Sequence, residues 1–211
     1  MPFRAQGDET AVQRPIVRLF TLEHGKFAYW ADFAVYGVIL LGLTAGSVIA
    51  GSGEPRWLSG GLVLAGLVVW SLIEYALHRF IFHGPEPFST WHAEHHRRPT
   101  ALIGTPTILS VALAFALLFL PVWMLAGLWC ACSLTFGILS GYLAYAITHH
   151  LVHHSRCENA WLRRRRHWHA LHHRRIEADG YYGVTSGFWD YFFTLGRRLR
   201  WPQGSRFDRA N

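Results

Sequence analysis

From Phe33 to Ala50 the chain runs FAVYGVILLGLTAGSVIA without a charged residue. Extended back to about Tyr29, the block is long enough, at about 1.5 Å of rise per residue, to cross roughly 30 Å of hydrocarbon. Inside a bilayer the backbone must satisfy its own hydrogen bonds, so such a block is a helix. Three more follow: about 57–77, uncharged until Glu74, then 102–120 and 122–148. Hydrophobic residues make up 51% of the chain and charged ones 16%, and the apolar residues are gathered in blocks. The expected architecture is therefore all-α: an integral membrane protein with about four transmembrane helices spanning about 29–50, 57–77, 102–120 and 122–148. The turn between the last two is expected at Pro121, which lacks an N–H and disfavours helix in the residue before it.

Lys and Arg set the topology. Of 20, four precede the first span, three lie between the second and third, twelve follow the fourth, and Arg56 alone falls in a loop facing the other way. Both termini and both long polar loops are then cytoplasmic. A formal charge of +7 suits a face against an anionic leaflet, and the run Arg163 to Arg166 reads as a headgroup contact or a solvated face. No nucleic-acid recognition module surrounds it. The 26 mostly polar leading residues do not read as a cleavable signal, and the three cysteines form no disulfide framework. The expected division is a cytoplasmic segment over 1–26, a membrane domain over 27–200 and a tail over 201–211.

Thirteen of the fourteen histidines fall in two windows, 78–96 and 149–173, both on the cytoplasmic side of this topology. The first window holds HRFIFH (His78, His83) and WHAEHH (His92, His95, His96). The second holds HHLVHH (His149, His150, His153, His154) and HWHALHH (His167, His169, His172, His173). Residues three or four apart share a helix face, so H-x-x-H-H presents converging imidazoles. His78 and His83, five apart, diverge by about 140° on an ideal α-helix, so one of them should sit where the second span ends or bends. So many imidazoles would repel one another if protonated, and metal coordination holds them neutral. One octahedral ion takes at most six ligands, so two ions are the natural count; imidazole suits Zn, Fe, Cu and Ni alike.

These four boxes in order, followed by YYGVTSGFWDYFF, resemble the fatty acid hydroxylase and sterol desaturase superfamily of integral membrane non-haem di-iron enzymes, over about residues 60–195 and closest to the fatty acid 2-hydroxylase branch. The resemblance implies metal ligation by His78, His83, His92, His95, His96, His149, His153, His169, His172 and His173. His150, His154 and His167 are left over, and a register with His154 in place of His153 is the alternative. It implies two Fe ions, with Zn able to occupy the same nitrogens in purified protein, and O2 as co-substrate. It further implies hydroxylation of an aliphatic C–H of a lipid, such as a fatty acyl chain. No segment resembles the cytochrome b5 domain fused to some relatives, so electrons are expected from a separate donor: a ferredoxin, cytochrome b5 or a reductase. Carotenoid hydroxylation, sterol-type desaturation and non-catalytic metal binding or transport are the rival readings. Abundant Arg with a single Lys, Lys26, favours a bacterial inner membrane over an endoplasmic reticulum.

All-nitrogen ligation leaves divalent ions uncompensated, so carboxylates accepting from the distal ring nitrogens are expected nearby. Glu94 and Asp190 are the first candidates, with Glu158, Glu177 and Asp179 behind them. Glu74, ionisable near the end of an apolar span, is costly without a partner and therefore expected to serve the site.

Overall fold

The computed structural model describes residues 23–157, 159–174 and 180–195. Seven α-helices are present among them: α1 (Lys26–Ala50), α2 (Arg56–Ala76), α3 (Phe88–Arg97), α4 (Thr107–Ala114), α5 (Leu120–His154), α6 (Ala160–Arg174) and the short α7 (Phe188–Asp190). π turns occupy Leu77–Phe82, Phe115–Phe119 and Tyr191–Leu195. No strand occurs among the described residues; a lone bridge pairs Glu23 with Ile103. The chain is thus an all-α integral membrane protein, with three helical stretches long and apolar enough to span: Lys26–Ala50, Arg56–Phe82 and Thr107–His154. Their exposed faces are lipid-like, with Leu41, Ile49, Leu64, Val68 and Leu125 open on the surface.

The last stretch departs from expectation in two places. Helix begins at Thr107, not near 102, because Pro106 excludes helix at the residue before it. The segment ahead is extended, and His24 donates its backbone N–H to Leu102 O at 2.9 Å. Pro121 does not reverse the chain either. It sits in the first turn of α5, directly after the π turn Phe115–Phe119, where the widened backbone accommodates a ring that would crowd the carbonyl four residues back. The break comes at Gly127, whose φ of 84° and ψ of 169° only glycine adopts readily. Val111, Ala114 and Phe119 then pack on the cluster containing Cys132 and Leu139. A straight helix would hold Val111 and Leu139 about 42 Å apart at 1.5 Å per residue, so the two arms fold back on each other.

α5 is the hub. Its buried Gly137 and Gly141 face α2, where Gly66, Trp70 and Glu74 are buried at the same four-residue step. A Cβ on Gly137 would meet Val63 O at 2.2 Å, and one on Gly141 would meet the Trp70 ring at 2.5 Å. Small residues let the two backbones touch, which is how helices gain dispersion contact in lipid. The contacts step up both helices together, so α2 and α5 run parallel and end on the same side. α1 runs antiparallel: its Tyr36 ring packs against Tyr142 with centroids 4.4 Å apart, while Ser47 bonds Ser133 at 2.7 Å. Parallel α2 and α5 therefore deliver two of the four histidine boxes to one end of the bundle.

Candidate metal centre

Two groups of imidazoles assemble there, each with ring nitrogens within 4.8 Å of one another. His78, His83, His92, His96 and His172 form the first; His95, His149, His153 and His169 form the second. His173 completes the set, with Nε2 3.0 Å from His169 Nε2 and its ring stacked on His96 at 4.2 Å. The groups are contiguous: His95 and His96, neighbours in sequence, serve one each with ring centroids 6.1 Å apart, and His169 and His172 do the same at 5.9 Å.

The first box reaches its geometry through a π turn. An α-helix would splay His78 from His83, but the turn Leu77–Phe82 follows i→i+5 bonding, which sets residues five apart above one another. The two rings consequently stack, 5.4 Å apart and 29° from parallel. The span ends at Phe82 with His83 as its C-cap, as the five-residue spacing requires of one of the pair, and both imidazoles stay on one side. His92 and His96 lie one turn apart on α3, as do His149 and His153 on α5 and His169 and His173 on α6, where α-helical spacing already suffices.

The nitrogens face one another closely. Nε2–Nε2 separations are 3.0 Å for His78–His92, 2.9 Å for His96–His92, 3.1 Å for His172–His96 and 3.1 Å for His83–His172. In the second group they are 3.1 Å for His149–His95 and 2.8 Å for His153–His169. Protons alone cannot satisfy such a ring, since each N–H serves a single neighbour. His78 contributes no Nε2 proton at all, because its Nδ1 donates to Tyr182 O at 2.5 Å and fixes the tautomer. Two nitrogens bound at right angles to one ion at about 2.1 Å lie about 3.0 Å apart, so the donor set fits metal coordination.

Burial, reinforced by the neighbouring rings, holds these imidazoles neutral. It lowers His95 to about 2, His96 to about 3 and His173 to about 4, and it pushes His83, His92, His169 and His172 down as well. Neutral lone pairs are the form that binds metal.

The carboxylates act differently from expectation. Asp190 accepts from the backbone N–H of Tyr182 at 2.8 Å and of Gly183 at 2.7 Å, and Glu74 accepts from the N–H of Val184 at 2.7 Å and of Thr185 at 2.9 Å. The Thr185 hydroxyl also donates to Glu74, at 2.5 Å. Neither bonds an imidazole; both pin the loop whose Tyr182 carbonyl receives His78. Burial raises the Asp190 carboxyl above the usual aspartate range. Glu94 pairs with Arg97 and Arg98 on the outside of α3. Glu158, Glu177 and Asp179 lie outside the described residues.

Of the other histidines, exposed His154 and His167 join neither group, and His150 bonds the Tyr29 hydroxyl at 3.0 Å, tying α1 to α5. Sequence reasoning missed Tyr182, whose functional atom is a backbone oxygen that side-chain identity does not encode. It also missed Tyr145, stacked on His149 at 5.7 Å and 16°.

Comparison with known proteins follows the same lines. The family model for fatty acid hydroxylase matches residues 63–194, which contain all ten clustered histidines and both loop-pinning carboxylates. The chain is 37% identical over 206 residues to dihydroceramide fatty acyl 2-hydroxylase FAH2 of Arabidopsis thaliana, covering 86% of this chain and 83% of the plant protein. It is 32% identical to ceramide very long chain fatty acid hydroxylase scs7 of Schizosaccharomyces pombe, covering 80% of this chain but only 51% of the yeast one. Among solved structures, full-length scs7p, with only its hydroxylase domain visible, aligns with a TM-score of 0.65 at 27% identity, over 79% of this chain and 65% of that one.

Proposed function

The chain belongs to the fatty acid hydroxylase family, and from that premise we propose that it is a membrane oxygenase that hydroxylates an aliphatic C–H of a fatty acyl lipid. The observation that carries this reading is the pair of adjoining all-imidazole groups at the ends of membrane-spanning helices. Two Fe ions, one held by each imidazole group, would supply the O2 activation that no side chain can perform. The overall balance is one C–H, one O2, two electrons and two protons giving one C–OH and one water, so a separate one-electron donor is required.

The protein's own residues position and insulate. Tyr182 O holds the His78 ring so that its bare Nε2 faces the group. Asp190 and Glu74 fix that carbonyl by holding the loop on both sides of it. Trp168 and Tyr181, both buried, pack 4.8 Å apart and join α6 to the loop. The histidines sit where α2 and α5 leave the apolar region, so an acyl chain reaches them laterally from the bilayer. This placement favours catalysis over transport, which needs polar ligands along the spans. The distribution of Arg supports an inner-membrane placement with both termini cytoplasmic.

Lipid profiles of cells with and without the gene test the reading: one hydroxylated acyl-lipid class is expected only where the gene is present. Unchanged lipids, or purified protein without stoichiometric transition metal, overturn it.

A further inference from the structure

α6 divides its two chemistries by face. His169, His172 and His173 point into the metal centre, and at 100° per residue they occupy an arc centred about 230° around the axis from Arg163. His167 and Arg174 fall within about 40° of Arg163, on the opposite side. All three are exposed, and Arg164 is exposed beside them. The helix carries no acidic residue. Two other arginines of the run are absorbed by the fold: Arg165 is buried over the Trp168 ring, and Arg166 donates to Ser155 O at 2.7 Å.

The imidazole face of α6 meets histidines at the ends of α2 and α5, so the cationic face turns away from the spans. It therefore looks toward the aqueous side more than toward headgroups. A protein seated there would stand about one helix diameter, roughly 10–12 Å, from the ligand nitrogens.

Resting on the oxygenase reading above, we propose that the Arg163, His167 and Arg174 stripe is the docking surface for the electron donor, an acidic one-electron carrier of the iron–sulfur or haem type. Each docking passes one electron to the metal centre and oxidises one carrier; two dockings per O2, with two protons from solvent, complete the balance. Opposite charge steers the encounter, and transient docking lets the spent carrier leave.

The test measures binding of an acidic plant-type [2Fe–2S] ferredoxin to the zinc-loaded full chain in detergent, across ionic strength, so that turnover is not the readout. Wild type is expected to bind in a salt-sensitive way. R163E/R174E should lose at least tenfold affinity at low salt, gain affinity for basic cytochrome c, and keep its metal content. R163Q/R174Q should fall between and serves as the reading if charge reversal impairs folding. Short-chain phosphatidylglycerol is titrated in parallel to score a headgroup site. Ferredoxin affinity equal in wild type and both variants overturns the proposal, whether or not phosphatidylglycerol binding drops, and so does wild-type binding indifferent to salt. Cells lacking any new hydroxylated lipid would undo the oxygenase reading instead, leaving the binding result standing.

Discussion

His78 and Asp190 do not touch, yet one peptide unit joins them: Asp190 accepts from the N–H of Tyr182 at 2.8 Å, and the carbonyl of Tyr182 accepts from His78 Nδ1 at 2.5 Å. The carboxylate orients the imidazole through backbone. Groups that orient metal ligands typically cost about 10- to 100-fold in affinity or activity when altered. Asp190→Ala is expected to lower both metal content and product formation by that order. Metal analysis alongside lipid hydroxylation checks this, and normal values for both would remove Asp190 from the site.

Glu74 holds the other flank of the loop. With Glu74→Ala the N–H groups of Val184 and Thr185 lose their buried acceptor, and a loss of stability of about 2 kcal/mol or more follows. Glu74→Gln keeps one acceptor oxygen and should retain part of it. Thermal unfolding in detergent would rank wild type above Gln and Gln above Ala.

The imidazoles divide into two sets, so single removals should divide too. His172→Ala is expected to abolish product and to lower bound metal by about one of two ions, and His153→Ala should take the other. His154→Ala and His167→Ala should leave metal stoichiometry unchanged. A loss with His154→Ala matching that of His153→Ala would move the ligand to the alternative register.

Acid should release the metal and then loosen the fold. Burial holds His173 near 4 and His96 near 3, against 6.5 when unfolded, so below pH 6.5 the unfolded chain binds protons that the folded chain does not. Stability is complete above about pH 6.5 and drains as pH falls toward 4 and then 3. Metal retention, which needs neutral rings, fails in the same direction. Metal content and unfolding temperature measured from pH 7 to pH 4 should both decline; a rise in either contradicts the burial seen here.

The α2–α5 contact leaves no room for a methyl at Gly137, where a Cβ would lie 2.2 Å from Val63 O, whereas Gly61 faces open space. Gly137→Ala should destabilise by about 1–3 kcal/mol, the range for overpacking. Gly61→Ala should not. Since the same contact brings the ends of α2 and α5 together, Gly137→Ala should also reduce metal loading, as elemental analysis would show.

The sequence alone determined the all-α membrane architecture, because only helices of that length satisfy backbone groups in hydrocarbon, and uncharged blocks show at once. It also determined which segments bear imidazoles and which helix face each box presents, since periodicity is local. What tertiary structure decided was everything dependent on an unexpected backbone or a distant partner. The π turn aligned His78 with His83 where α-helical periodicity separates them. The chain reversed at Gly127, a residue with no side chain to advertise it, instead of at the more conspicuous Pro121. Asp190 and Glu74, expected beside the imidazoles, hold Tyr182 and its loop, because a main-chain carbonyl already fills the place expected for a carboxylate. Hydropathy and spacing are properties of neighbouring residues and can be read along the chain. The gathering of nine histidines into two facing groups depends on which helices pack, and that is settled only when small residues on α2 and α5 let them close.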